Sequence, residues 1–171
     1  HSEEYANWVF DPNHPTQGRR FINAKELFSS MLDIDIISTR PATYNELNRV
    51  HDKEYIDSVL IDGKCGQWSG IRPDLSNLAS MFVGGTLVAL DQLLKGNTLT
   101  AIHFPGAKHH AQFDRSSGFC VFNDFALAAD IASKDFGKKV AILDIDGHHG
   151  DGTENLTGEN INVMKIGRAH V

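Results

Sequence analysis

Apolar residues recur at helical spacing through two stretches of the chain and crowd into short runs at three others. Leu75 to Lys95 is apolar on nearly every side and is followed by Gly96-Asn97, so a long, largely buried helix is expected there. Gly84-Gly85 would let another segment pack closely against it. Asp124 to Phe136 places Phe125, Leu127, Ala128, Ile131 and Ala132 at helical spacing and stops at Gly137. After Pro41, Thr43-Tyr44-Asn45-Glu46 has the form in which a Thr hydroxyl and a Glu carboxylate each satisfy the other's backbone N–H, so a helix should start at this point. Leu99 to Phe104 and Val140 to Leu143 are apolar runs closed by polar or Gly/Pro residues, as expected of strands buried on both faces. Ile161 to Met164 reads as the start of another strand. Strand 99–104, helix 124–136 and strand 140–143 in that order imply a right-handed parallel crossover and an α/β sheet. Ligand sites in such sheets lie beyond the carboxyl ends of the strands, where both chemically rich segments of this chain begin.

Composition narrows the class without changing it. At 171 residues, 41% apolar and 22% charged, with no repeat and no Pro/Gly/Ser-rich linker, the chain reads as one globular domain or part of one. The net charge of −6 and the scatter of Lys and Arg leave no basic stripe, which disfavours direct nucleic-acid binding. Apolar stretches such as Met81 to Leu90 fall short of the roughly 20 residues of a membrane span, and no signal peptide is visible. Cys65 and Cys120 have no C-x-x-C spacing, so neither a disulfide framework nor a zinc knuckle is indicated and a reducing cytoplasm is the expected setting. The chain begins with His1 and shows no targeting pattern, so a natural start is expected upstream. Residues 166–171 match the translation of a common sequencing adapter, so they are expected to be a non-native tail on a native segment of residues 1–165.

Chemistry concentrates in two segments. From Asp144 to Asp151 the apolar run gives way to three carboxylates and two imidazoles within eight positions. Asp146 and His148 are two apart, so on extended backbone both would project to one side and could share a cation. Mixed oxygen and nitrogen donors suit zinc, and by ligand type also iron(II), cobalt or manganese. Catalytic zinc usually has three protein ligands, so a third must come from elsewhere. An isolated Asp-x-Asp or His-His is most often an Asx-rich turn or a solvated pair; the combination after a buried strand reverses that expectation. Gly147, Gly150 and Gly152 would let backbone approach an ion or substrate. The second segment, Pro105 to Ala111, brings His109 and His110 to the same sheet edge, followed by Ser116-Ser117-Gly118-Phe119-Cys120, whose Gly and aromatic could shape a narrow pocket. A general base needs a neighbour that fixes its tautomer, and Asp144 and Asp151 are candidates. Two His-Asp dyads beside a metal would serve metal-assisted hydrolysis.

P-G-x-x-H-H-A from Pro105, S-G-F-C-x-x-N-D from Ser117 and D-x-D-x-H-H-G-D-G-T from Asp144, in that order, resemble the zinc-dependent histone deacetylase and acetoin-utilisation-type superfamily. Residues 41–47 and 50–56 are similar to that family's early helical region, and His14-Pro15 to its N-terminal His-Pro, so the likeness runs from about Tyr5 to Thr157. The resemblance implies a three-layer α/β fold, a parallel sheet with helices on both faces, of the arginase/deacetylase kind and here truncated. It also implies removal of an acetyl or other acyl group from an acetylated lysine peptide or a small acetylated amine. Asp146 and His148 would ligate Zn2+ or Fe2+. His110 would be the general base, with His109 its electrostatic companion and proton donor; Asp144 would pair with His109 and Asp151 with His110. Phe119 would wall the acyl tunnel, with the Gly118 carbonyl near the substrate amide. Asp144, Asp146 and His148 would offer oxygens to a structural K+.

The family's third zinc ligand, an Asp, and its carbonyl-polarising Tyr come from segments beyond residue 171, so these residues alone are expected to be inactive and poorly stable, with parallel edges unpaired. No acid falls at Gln67-Trp68-Ser69-Gly70, where many eukaryotic members hold the substrate backbone; Asp74 is near but out of register. That keeps small acetylated amines such as polyamines open as substrates. The rival readings are a non-catalytic protein that keeps the fold for binding and, more weakly, an arginase-type manganese hydrolase. Retention of both His pairs and both acids favours the enzyme.

Overall fold

A computed structural model describes residues 1–9, 13–14 and 16–168. A 3-10 turn at Glu3–Asn7 leads to helices α1 (Arg19–Met31), α2 (Tyr44–Leu47), α3 (Lys53–Leu60), α4 (Leu75–Leu94) and α5 (Asp124–Lys134), then strand β1 (Val140–Leu143), helix α6 (Asp151–Thr157) and strand β2 (Val163–Ile166). Pro15 and residues 169–171 lie outside the described residues.

Local signals set the helix ends. Thr43 caps α2 reciprocally with Glu46: its hydroxyl accepts from the Glu46 N–H at 3.3 Å while the Thr43 N–H donates to Glu46 Oε2 at 2.7 Å. Arg40, bonded to the same carboxylate at 2.6 Å, holds the Glu46 pKa down to about 2. Asp52 caps α3, and Asn123 caps α5 by accepting from Ala126 N–H at 2.9 Å. The long apolar helix is present as α4, followed by Gly96 at φ +71°. By length and composition α4 could also span a membrane, but half of that stretch is buried within the fold, chiefly its first three turns. Leu75, Leu78, Phe82 and Val83 pack there with Tyr5, Trp8, Phe21, Leu47, Ile56, Val59, Phe122 and Leu127 in one core.

Gly84 and Gly85 do bring neighbours close. A Cβ at Gly84 would overlap the Arg40 carbonyl, where the chain crosses α4 and Ala42 N–H donates to Ser80 O at 2.9 Å. A Cβ at Gly85 would strike the His103 ring.

The α/β class and the parallel sheet are as expected, but the pairing differs. β1 and β2 pair in parallel, Val140 opposite Val163 and Leu143 opposite Ile166, with α6 on the connection between them. Residues 99–104 form no ladder, and Leu99 and Ile102 are exposed. An apolar run becomes a strand only when another strand offers its N–H and C=O groups, and none lies beside this one among the described residues. Nor is β1 buried on both faces: Ile142 is buried and Leu143, on the opposite face, is exposed.

Candidate active site

Three chain segments meet beyond β1: residues 105–112, residues 116–124 and the turn from Asp144 into α6. Asp124, fully buried at the start of α5, accepts from the N–H groups of Ala107 at 3.1 Å and Lys108 at 2.7 Å and from the Thr86 hydroxyl at 2.6 Å. Thr86 also bonds His103 Nδ1 at 2.9 Å, and His103 Nε2 meets the Tyr5 hydroxyl at 3.1 Å. Burial pulls the His103 pKa down to about 3, so this ring is neutral. The chain of bonds from Tyr5 to Asp124 clamps the loop just ahead of the two histidines. Lys108 turns inward, its ammonium 4.8 Å from the centre of the Phe82 ring, and burial lowers its pKa.

Beyond the loop, His109 and His110 stand with ring centroids 4.1 Å apart. His109 Nδ1 lies 2.8 Å from Asp144 Oδ2, and His110 Nδ1 lies 2.7 Å from Asp151 Oδ1. A carboxylate only accepts, so each Nδ1 carries the proton and each Nε2 is left as an acceptor. Both members of the first pair are 8% exposed; in the second, Asp151 is 43% exposed. Burial works to raise the Asp151 pKa, but the His110 bond and backbone N–H groups outweigh it and the net shift is downward, so the acid stays ionised. Two glycines make the pairs fit. A Cβ at Gly150 would run into Asp144 Oδ2 and lie 3.1 Å from His109 Nδ1; one at Gly152 would meet the Ala111 carbonyl.

Asp146 and His148 also come together, though not on extended backbone. The chain bends, and Asp146 Oδ1 accepts from His148 N–H at 2.7 Å and from His148 Nδ1 at 2.8 Å. The His148 N–H bonds, backbone first and ring second, hold the Asp146 pKa down. The His148 ring is 6.0 Å from that of His110. One carboxylate and one imidazole on the same side of the turn are the donor types a zinc or iron(II) ion takes. They fit as part of a ligand set; no group of three or more His, Cys, Asp or Glu able to hold a metal occurs among the described residues. Gly147 has open space around its Cα.

Gly118 and Phe119 sit at the rim of this centre with φ of +49° and +64°. A Cβ at Gly118 would collide with the His110 ring, so the glycine answers both a backbone and a packing demand. Phe119 N–H donates to Gln67 Oε1 at 3.0 Å, and its half-exposed ring stands edge-on to His14 at 4.5 Å. Trp68 is packing: it meets Trp8 edge-to-face at 5.3 Å, with the Arg72 guanidinium 4.9 Å from both rings. Asp74 is occupied by Arg72 at 2.7 Å.

Several supporting residues had no signal of their own in the sequence. His51, buried, bonds Gln112 O through Nδ1 at 2.8 Å and accepts from Asn123 N–H through Nε2 at 2.9 Å. Asn123 donates to Ala111 O at 3.1 Å, and Thr153 N–H to His109 O at 2.9 Å. Gln112 bonds Asp151 Oδ2 at 2.8 Å. The motif segments contain Asn123 and His51, but nothing local marks what either holds.

Comparison with known proteins agrees with the geometry. The model of the histone deacetylase domain matches residues 12–167. The acetoin utilization protein AcuC of Bacillus subtilis (strain 168) is 32% identical over 182 residues, covering 97% of this chain and 47% of that protein. Histone deacetylase clr6 of Schizosaccharomyces pombe is 30% identical over 173 residues, covering 91% and 42%. The crystal structure of the HDA15 HD domain superposes with a TM-score of 0.82 at 26% identity, over 98% of this chain and 53% of that one, which identifies the arginase/deacetylase fold. The chain thus spans less than half the length of these curated relatives.

Proposed function

Since this chain belongs to the histone deacetylase family, we propose that the protein it represents is a metal-dependent amide hydrolase that removes an acetyl or other acyl group from an acetylated lysine or amine, and that residues 1–165 are the N-terminal part of its single catalytic domain. The observation that carries the reading is the pair of His-Asp dyads, at 2.8 and 2.7 Å, with their rings side by side. A binding module has no need of two oriented imidazoles.

His110 Nε2 is the base that takes a proton from the attacking water, and Asp151 stabilises the imidazolium that results. The proton taken up by His110 is relayed to His109 Nε2, which hands it to the leaving amine so that both rings end neutral, with Asp144 holding the His109 ring and balancing its charge in transit. Asp146 and His148 would hold Zn2+ or Fe2+, and a divalent cation there supplies Lewis acidity to the scissile carbonyl and its attacking water. Oxygens of Asp144, Asp146 and His148 are the place for a K+. Gly118 and Phe119 line the approach of the acyl chain. Because no acid lies at residues 67–70, the rim does not call for a peptide backbone, and small acetylated amines stand beside acetyl-lysine as substrates. Free Cys65 and Cys120 suit a reducing cytoplasm.

Turnover of an acetyl-lysine peptide and of an acetylated polyamine by the full-length protein tests this. We expect a chelator-sensitive rate that falls at least a hundredfold in His110→Ala. A full-length protein that binds metal but hydrolyses neither, or one whose rate survives His110→Ala, would sink the assignment.

A further inference from the structure

We propose that Gln112 is a positioning residue for the His110–Asp151 dyad, acting through the second oxygen of Asp151, and that Asn155 sets which way its amide faces. The inference rests on the reading of His110 as the base.

Gln112 is 5% exposed, and its Nε2 donates to Asp151 Oδ2 at 2.8 Å while its Oε1 accepts from Asn155 Nδ2 at 2.9 Å. A carboxylate has no proton to give, so Gln112 must present its NH2 to Asp151 and its oxygen to the NH2 of Asn155. The two contacts are satisfied together in only one orientation of the amide. The stem is fixed as well: Gln112 O accepts from His51 Nδ1 at 2.8 Å, and Gln112 N–H donates to Arg115 O at 3.0 Å.

The two dyads are held in different ways. Asp144 is 8% exposed, hemmed in by Gly150, and its second oxygen accepts from the nearby Asp146 N–H at 3.2 Å, so burial and its own turn fix its carboxylate against His109. Asp151 is 43% exposed at the start of α6, where a free carboxylate would turn toward water. A bond on each oxygen, His110 on Oδ1 and Gln112 on Oδ2, removes that rotation and keeps His110 Nε2 aimed at the centre.

The test uses the full-length protein with Gln112→Leu, Asn155→Asp and the double variant. Loss of the Gln112 donor should lower kcat about tenfold, with KM changed less than twofold, as expected of a support acting through another group. Asn155→Asp should lower kcat as well, because an acceptor-only side chain there competes with Asp151 for the Gln112 NH2 and removes the bond that fixes which way the amide faces. With Gln112→Leu already present, Asn155→Asp should add no further loss, a non-additivity that independent structural effects do not give. A second readout does not depend on turnover: the downfield Nδ1–H proton resonance of His110, identified by its loss in His110→Ala, should move and broaden in Gln112→Leu and in Asn155→Asp. If kcat holds while only thermal stability falls, or if that resonance is unmoved in both variants, Gln112 has no positioning role. Absence of turnover in the parent protein would strike the deacetylase reading alone, and the resonance would still decide this one.

Discussion

Acid should weaken this protein through His51 before it reaches the carboxylates. The imidazole is 1% exposed and doubly committed, donating from Nδ1 to Gln112 O and accepting at Nε2 from the Asn123 N–H. A second proton would have to sit on Nε2, against a backbone donor and away from water. Burial accordingly pulls the pKa from 6.5 to about 4. The unfolded chain takes up its proton near pH 6.5, the folded protein only near 4, so the stability is present in full above about 6.5, declines as pH falls, and has no more to lose below about 4. The span between those two values corresponds to about 3 kcal/mol, a large part of a typical stability of roughly 5–15 kcal/mol. Glu46, held near 2 by Arg40, loses its contribution only from about pH 4.5 downward, which leaves the upper window clear of it. His103, drawn to about 3 by burial, titrates in the same direction as His51, so the measurement must be a difference. Urea unfolding followed by circular dichroism from pH 8 to 4.5, on the protein and on His51→Gln, provides it. The variant should be less stable at pH 8, and its deficit should shrink by about 2–3 kcal/mol by pH 4.5, since it has no imidazole to protonate. A deficit that stays constant across the window would refute the claim that His51 is the acid-sensitive group.

Two glycines carry further predictions of opposite kind. Gly84→Ala sets a methyl against the Arg40 backbone carbonyl and should cost at least about 3 kcal/mol by urea denaturation, because neither helix α4 nor the crossing chain can yield cheaply; a variant as stable as the parent would refute the close crossing. Gly150→Ala instead displaces Asp144 Oδ2 from His109 Nδ1, so in the full-length protein turnover should fall about a hundredfold, far more than the loss of about 1–2 kcal/mol in stability would explain. Unchanged turnover would show that the His109–Asp144 bond is dispensable.

Much of the helical framework was legible because its signals are local. The Thr43–Glu46 box, the apolar length of α4 and the spacing of α5 need only neighbours within a turn or two. Residues 99–104 show the opposite case: the run is apolar enough to suggest a strand, yet only β1 finds a partner strand, which depends on a neighbour elsewhere in the chain. Asp146 and His148 meet as the spacing suggested, but through a bend in which one carboxylate oxygen gathers both N–H groups of His148.

By itself the sequence determined which chemical groups are present and that each cluster follows an apolar run: His109 and His110 in one segment, Asp144, Asp146, His148 and Asp151 in another, with glycines interspersed. Tertiary structure alone decided which of them touch and in what state. The pairing of His110 with Asp151, the lock by Gln112 and Asn155, and the neutrality of His51 depend on contacts across 41, 39, 43 and 72 residues of chain. A polar side chain carries no mark of its distant partner, and burial, which sets its protonation, is a property of the packed molecule and not of the residue.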